Sequence, residues 1–210
     1  MSADTQQSVF TIGHSNLEFG KFVALLKQHS VQAIADVRSS PYSQYNPQFN
    51  REPLQRALQE HGISYVFLGD ELGARRSERE CYVNDRADYA LIARTPAFNS
   101  GIERVIRGAA KMRIALMCSE KDPLDCHRCI LVSPHLLKRG LQVSHILADG
   151  AVESHEQAES RLLHLLELPE HELFRSPDEI AAEAYKLRGE KIAYQENTLA
   201  LREEPPRYGD

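Results

Sequence analysis

Five short apolar runs recur along the chain: Val9–Ile12, Val31–Val37, Ile63–Leu68, Arg113–Cys118 and Leu141–Leu147. Each is too short for a core helix and is dominated by aliphatic residues, so each reads as a buried strand. Between them the apolar positions change to helical spacing. Phe22, Val23, Leu25 and Leu26 follow the first run, and Leu54, Ala57 and Leu58 the second. Ile102, Val105, Ile106 and Ala109 precede the fourth run, and Ile130, Leu131, Leu136 and Leu137 follow it. Ser15 and Glu18 are spaced as a capping box for a helix from about Asn16, and Asn50 with Pro53 opens the next helix. Asp125 is placed to cap a helix whose first turn holds Cys126, and Pro134 inside that helix predicts a kink or a late start.

Strands that alternate with helices favour a parallel sheet. The expected fold is therefore α/β: a largely parallel five-stranded sheet with helices on both faces, plus a C-terminal helical extension. The stretch 70–95 interrupts the pattern. It is polar, carries Arg75, Arg76, Arg79 and Arg86, and is too long for a simple connection, so it reads either as a lid or as a solvated excursion. After Gly150 the pattern is helical only. Ser154 with Gln157 and Ser176 with Glu179 make two further capping boxes, the second opening a helix to about Asn197. The expected organisation is an α/β domain at 1–150 that carries the site, and a helical extension at 151–210. The apolar faces of that extension suit either the α/β domain or a second copy of the chain in a homodimer.

Composition narrows the class. Of 210 residues, 42% are apolar and 26% charged, which is the balance of a globular protein. A net charge of -5 argues against a protein that coats nucleic acid non-specifically. No apolar run approaches the roughly 20 residues that span a bilayer, so no membrane partner is expected. Met1 to Ser8 lacks the basic-then-apolar layout of a signal peptide, and four cysteines are too few for a disulfide framework. A cytoplasmic protein with reduced thiols is the expectation.

In a parallel sheet every strand points its carboxyl end to one edge, and sites form there. The expected strand ends supply His14, Ser15 and Asn16; Asp36, Arg38 and Ser39; Gly69 and Glu71; Cys118 and Glu120; and His145. Cys126, His127 and Arg128 arrive together at a helix entrance. There the free backbone N–H groups and the two cationic neighbours favour a thiolate, and the same groups make an anion cradle. Three chemistries remain open at this point: a thiolate nucleophile or thiolate-assisted binding, a Cys126–Cys129 dithiol of the C-x-x-C type, and a metal held by Cys118, Cys126 and Cys129 with a nearby histidine. The spacing C-x7-C-x2-C lacks the second knuckle of a structural zinc site, so no metal is expected. A phosphatase-type C-x5-R loop is absent, because Val132 stands where its arginine would.

The motifs Thr11-Ile-Gly-His14-Ser-Asn16, Asp36-Val-Arg38-Ser39 with Pro41 and Ser43, Phe49-Asn50, Leu68-Gly69 with Leu72-Gly73, Cys118-x-Glu120 and Cys126-His127-Arg128 stand in a distinctive order. In that order the chain resembles the uncharacterised family catalogued as domain of unknown function 488, from about Val9 to His155. The resemblance extends into the tail at Ala184-Tyr185 and Lys191-Ile-Ala-Tyr194. It implies a cytosolic α/β domain with motif residues at His14, Asn16, Asp36, Arg38, Ser39, Cys118, Glu120, Cys126, His127 and Arg128. It supplies no reaction and names no cofactor. Cys129 lies outside the family pattern, which weakens the C-x-x-C redox reading and a metal site that relies on Cys129.

The leading expectation is an enzyme acting on a phosphate-bearing substrate, a nucleotide or a nucleic-acid component. Cys126, His127, Arg128, Cys118 and Glu120 would form its catalytic group. His14, Asn16, Asp36, Arg38 and Ser39 would bind the substrate, with Arg38 and Arg128 gripping the anion. A non-catalytic nucleotide- or nucleic-acid-binding module, with Tyr42, Tyr45 and Phe49 as stacking faces, is the alternative. A thiol redox protein is the second alternative.

Overall fold

The computed structural model describes residues 7–196. Its central sheet has six strands, not five, in the order β3-β2-β6-β1-β7-β8. The five expected strands are β1 (Ser8–Gly13), β2 (Ala33–Asp36), β3 (Ser64–Phe67), β6 (Ile114–Cys118) and β7 (Gln142–Ile146), all mutually parallel. The sixth, β8 (Val152–Ser154), pairs antiparallel with β7 at the sheet edge. It lies just past Gly150, in the stretch expected to be helical only. The expected five-stranded count thus fails by one short, half-exposed edge strand, whose three residues give no readable alternation.

Helices α1 (Phe19–Gln28) and α2 (Arg51–Glu60) cover one face of the sheet. Their Phe22, Leu25, Leu26, Leu54 and Leu58 pack on Phe10, Ile12, Ile34, Ala115 and Met117. The opposite face packs Val9, Ala35, Leu116 and Val143 against Phe98, Ile102 and Val105 of α5 (Pro96–Ala109) and Leu136 of α6 (Ser133–Leu137). Alternate strand residues thereby feed two cores, as a sheet covered on both faces requires. The terminal helices α7 (His155–Leu165) and α8 (Pro177–Ile192) open on the two expected capping boxes, Ser154–Gln157 and Ser176–Glu179. They form a third cluster in which Ala158, Leu162, Ile180 and Ala184 close over Leu124, Cys129 and Ile130 of the same chain. The helix α8 ends at Ile192; Asn197 lies outside the described residues.

Three local expectations are corrected. The helix α1 begins at Phe19, not Asn16, and Glu18 rather than Ser15 occupies the N-cap position without a side-chain cap. Ser15 instead adopts a left-handed φ of 45, and its N–H and that of His14 reach the Ser119 and Cys118 carbonyls. Stitching the ends of β1 and β6 together outweighs the capping box. The second correction is at Cys126, which is extended (φ -134, ψ 139) and sits just ahead of the helical turn rather than within it. Its carbonyl accepts the Cys129 and Ile130 N–H groups. Asp125 does not cap; its carboxylate pairs with Arg188 of α8. Residues Arg128–Val132 then form a π-helix before α6 starts at Ser133. Pro134 accounts for this: it has no N–H for the Ile130 carbonyl, its ring crowds that carbonyl, and widening the turn relieves both.

The third correction concerns 70–95, which is neither a solvated excursion nor structureless. It begins within α3 (Gly69–Leu72), then makes a hairpin of β4 (Tyr82–Val83) and β5 (Arg86–Ala87), and ends in α4 (Tyr89–Ile92). Asn84 and Asp85 both have positive φ, the requirement of a tight hairpin turn. Cys81, Ala87 and Ile92 anchor it in the core.

Gly13, at the end of β1, marks how closely the two central strands approach. A Cβ there would stand 1.8 Å from the Glu120 carbonyl oxygen and 3.1 Å from Arg128 Nη2. Gly13→Ala should therefore cost about 3 kcal/mol or more, as overpacking against backbone does. Denaturant unfolding measures this, and an unchanged midpoint would show that the strand end is free to move.

Candidate functional site

Strands β1 and β6 are neighbours whose following segments leave in opposite directions, one to β2 and the other to β7. Such a switch point opens a crevice at the carboxyl edge. Two connected recesses occupy it. The first, of ≈ 350 Å³, is lined by Arg38, Ser39, Ser40, Arg75, Cys118, Ser119, Glu120 and His127, with Tyr42, Tyr89 and Tyr194 at its sides. The second, of ≈ 450 Å³, holds His14, Ser15 and Asn16 and shares Arg38, Ser40, Tyr42 and Ser119 with the first.

Cys118, Cys126 and His127 meet beneath the first recess. Their sulfur and nitrogen donor atoms all lie within 4.8 Å of one another, and all three residues are buried. His127 Nε2 lies 2.9 Å from the Val37 carbonyl, which can only accept, so Nε2 carries a hydrogen. Nδ1 is thereby left facing the sulfurs of Cys118 at 3.8 Å and Cys126 at 3.9 Å. Cys118 and His127 reach the recess, while Cys126 sits one layer deeper at 1% exposure. Cys129 turns the other way, so the Cys126–Cys129 dithiol is not assembled; the thiols that face each other are Cys118 and Cys126. The same Cys118–Cys126–His127 group has the donor set of a soft divalent ion, a grouping the sequence spacing does not show because His127 takes the place considered for Cys129.

Arg128 is the largest fully buried side chain among the described residues. Nη1 donates to the Glu120 carbonyl at 2.8 Å, Nη2 to the Lys121 carbonyl at 3.3 Å and Nε to Thr11 Oγ1 at 3.4 Å. Its backbone N–H meets Cys126 Sγ at 3.5 Å. No carboxylate among the described residues pairs with this guanidinium. A buried unpaired cation is costly, so the nearest ionisable sulfur becomes its counter-charge. Burial opposes ionisation of Cys126, but the Cys118 thiol, Arg128 and His127 outweigh it and hold Cys126 well below the usual thiol range. Burial and the neighbouring Cys126 push Cys118 well above that range. For His127 burial is again outweighed, here by the Cys126 thiolate, and the imidazole is raised. Glu120 is raised by loss of water and by the Cys126 charge. The two thiols are thus pushed in opposite directions, Cys126 toward the thiolate and Cys118 toward the thiol, beside an imidazole and a carboxyl that are both raised.

Arg38 is not a free anion hook either. Its guanidinium grips Asp36 through Nε to Oδ1 at 2.9 Å and Nη2 to Oδ2 at 2.6 Å, donates to the Phe49 carbonyl at 2.8 Å, and Tyr65 closes on Asp36 at 2.7 Å. Nη1 lies 3.2 Å from His14 Nε2, which must accept; His14 Nδ1 then donates to the Ser15 carbonyl at 2.9 Å, and the ring stacks on Phe49. Both expected anion-gripping arginines are therefore internal braces. Ser39 accepts the Arg75 N–H and faces the recess, and Asn16 stands exposed at the rim of the second recess. His145 does not reach the edge: it is buried beside Thr11 and His155, and burial first, then its cationic neighbours, lowers it to about 2.

Several contributors have roles that the sequence pattern does not show. Arg75 stacks over Tyr194 at 4.6 Å and lends a guanidinium to the recess wall, and Tyr89 and Tyr194 enclose it. Arg161 on Asp122 and Arg188 on Asp125 hold the loop that presents Cys126. Thr11 in β1, Val37 just past β2 and Phe49 in the helical turn Pro47–Phe49 position the arginines and His127. The paired residues are far apart in sequence, so no local pattern reports them.

Fold and site together define an α/β protein with a dithiol–imidazole group at the carboxyl edge of a parallel sheet. The chain belongs to the family described as domain of unknown function DUF488, whose model matches residues 18–133, more than half of its length. That match takes in Asp36, Arg38, Ser39, Cys118, Glu120 and Cys126–Arg128, and begins beyond His14 and Asn16. No curated protein and no solved structure matches the chain. No helix among the described residues is long and apolar enough to cross a membrane.

Burial and Arg38 together lower His14 to about 4 from 6.5. A folded value below the unfolded one means that the unfolded chain binds the proton more tightly. The contribution is complete above pH 6.5 and is lost as pH falls through about 4. His14 alone should cost the fold about 2 kcal/mol between pH 7 and pH 5. Urea unfolding at the two values checks this, with the loss reduced in His14→Asn; an equal loss in the variant would assign the acid sensitivity elsewhere.

Proposed function

We propose that this DUF488 protein is a cytoplasmic enzyme that acts on a phosphate-bearing, nucleotide-related substrate through the Cys118–Cys126 pair. The observation that carries the reading is Arg128, a buried cation with no carboxylate partner among the described residues, whose backbone N–H meets Cys126 Sγ and whose charge favours the Cys126 thiolate. It keeps one negative charge on the sulfur pair at neutral pH. Cys126 stores that charge out of reach of solvent, and Cys118 presents its sulfur at the recess floor. When the shared proton moves from Cys118 onto Cys126 or Glu120, Cys118 becomes the attacking thiolate. The same proton is then available to the leaving group, and Glu120 and His127 are the groups placed to carry it.

The substrate class follows from the walls rather than from the braced arginines. Arg75 offers the charge, Tyr42, Tyr89 and Tyr194 offer flat faces, and Ser39, Ser40 and Ser119 offer hydroxyls. A charged group joined to a planar ring satisfies that set. The second recess, around His14, Asn16, Ser43 and Asn46, where the Arg38 charge is already paired with Asp36, suits an uncharged sugar or amide portion. Four free cysteines accord with a reducing compartment.

A panel of nucleotides and phosphate esters, read by product formation and by intact mass for a covalent adduct, tests the proposal. Turnover should fall on the order of 10³-fold in Cys118→Ser while binding persists, and Arg75→Ala should raise KM more than it lowers kcat. Turnover that survives both Cys118→Ser and Cys126→Ser would end the thiolate reading. Salt-sensitive binding with no product would favour the non-catalytic module instead.

A further inference from the structure

Behind Arg128, on the side away from the recess, a second group of donor atoms converges. Cys129 comes from the π-helix, His145 from β7 and His155 from the first turn of α7. Their donor atoms lie within 4.8 Å of one another, with His145 Nε2 at 3.1 Å from His155 Nδ1 and 3.8 Å from Cys129 Sγ. All three residues are at most 3% exposed. A tetrahedral zinc-type ion with ordinary bond lengths places two nitrogens about 3.3 Å apart and a nitrogen and a sulfur about 3.6 Å apart. The observed spacings match both values to within a few tenths of an ångström.

The outer atoms of the two imidazoles are also held. His155 Nε2 lies 2.8 Å from the Tyr185 hydroxyl, which donates to Glu159 at 2.6 Å, and His145 Nδ1 lies 2.8 Å from Thr11 Oγ1. A metal-binding histidine needs such a partner on its second nitrogen, to fix its tautomer and ring plane. Leu124, Ile130, Leu162 and Ile180 form an apolar shell around the group. Sulfur with two imidazoles selects zinc-class ions over calcium or magnesium.

We propose that Cys129, His145 and His155 bind one zinc-class divalent ion that fastens the parallel sheet to the C-terminal helices. The ion would bond the π-helix, β7 and α7 to one centre, with a fourth position open to a small ligand. On binding, the Cys129 thiol gives up its proton to solvent. The His145 proton moves from Nε2 to Nδ1, where Thr11 Oγ1 accepts it. His155 already has Nδ1 free, because Nε2–H donates to Tyr185. One proton is thus released for each ion bound. The proposal is independent of the Cys118–Cys126 chemistry.

The test is a Co²⁺ titration of the chelator-treated full chain carrying Cys126→Ser, which disables the other thiol group. One equivalent should bind, with a thiolate-to-cobalt absorption band and a rise of several degrees in Tm. Cys129→Ser should remove the band and weaken binding about a hundredfold or more, and His155→Ala should do the same. With the Cys118–Cys126 pair left intact, the Tm rise with Zn²⁺ should be smaller in Cys129→Ser than in the wild-type chain, and an equal rise in both would overturn the site. No band and an unchanged Tm would overturn the site and leave Thr11, His145, His155, Tyr185 and Glu159 as a plain hydrogen-bonded chain. A band that survives Cys129→Ser would overturn it equally.

Discussion

A positive charge buried without a carboxylate is the constraint on which the site depends. Arg128 is enclosed by strand ends and by the loop after β6, and its guanidinium N–H groups go to two carbonyls and a hydroxyl. Those partners satisfy hydrogen bonds and leave the charge unbalanced. Cys126 is the ionisable group that meets the same residue, and the Cys118 thiol, the Arg128 charge and His127 together draw it toward the thiolate. Cys118, pressed against that charge, keeps its proton; Glu120 and His127 are both raised by it. The lowered Cys126 thiol is thus a cause of the upward shifts of Cys118, Glu120 and His127.

The fold is arranged to hold that charge still. The β1 and β6 ends approach so closely that Gly13 has no room for a side chain, and the neighbouring β2 end is locked by the Asp36–Arg38 pair, by Tyr65 and by Phe49. Arg161 and Arg188 reach from the terminal helices to clamp Asp122 and Asp125 on either side of the loop. The helical extension therefore does more than cover a face: it fixes where Cys126 stands. The apolar positions that suited it to a second subunit, Ile180 and Ala184 among them, are used against Leu124, Cys129 and Ile130 of the same chain.

The four inner parallel strands were legible because strands buried on both faces are continuous apolar runs, the half-exposed edge strand β3 because it lies within the largely apolar run Ile63–Leu68, and the two C-terminal capping boxes because they are local in sequence. The edge strand β8 and the hairpin β4–β5 were not, since two or three residues carry no period. The gathering of polar groups at one edge follows from parallel topology, and Cys118, Cys126 and His127 do converge there. What each group does was hidden wherever its partner is distant. Arg38 looks like an anion hook until Asp36 folds back on it, and Arg128 until the Glu120 and Lys121 carbonyls close on it. Ser15 looks like a cap until the strand end claims its backbone. Cys129 and His145 stand 16 residues apart and meet only in the folded chain.

The central claim, that Cys126 is ionised in the resting protein, is tested most directly by titrating thiolate ultraviolet absorbance against pH. The structure predicts the signal of one sulfur at neutral pH, persisting well below the ordinary thiol value of about 8.5, absent in Cys126→Ser and shifted upward in Arg128→Leu. If every sulfur in the folded chain instead titrates near that value or above it, the charge on Arg128 is balanced by something else and the thiolate account is wrong.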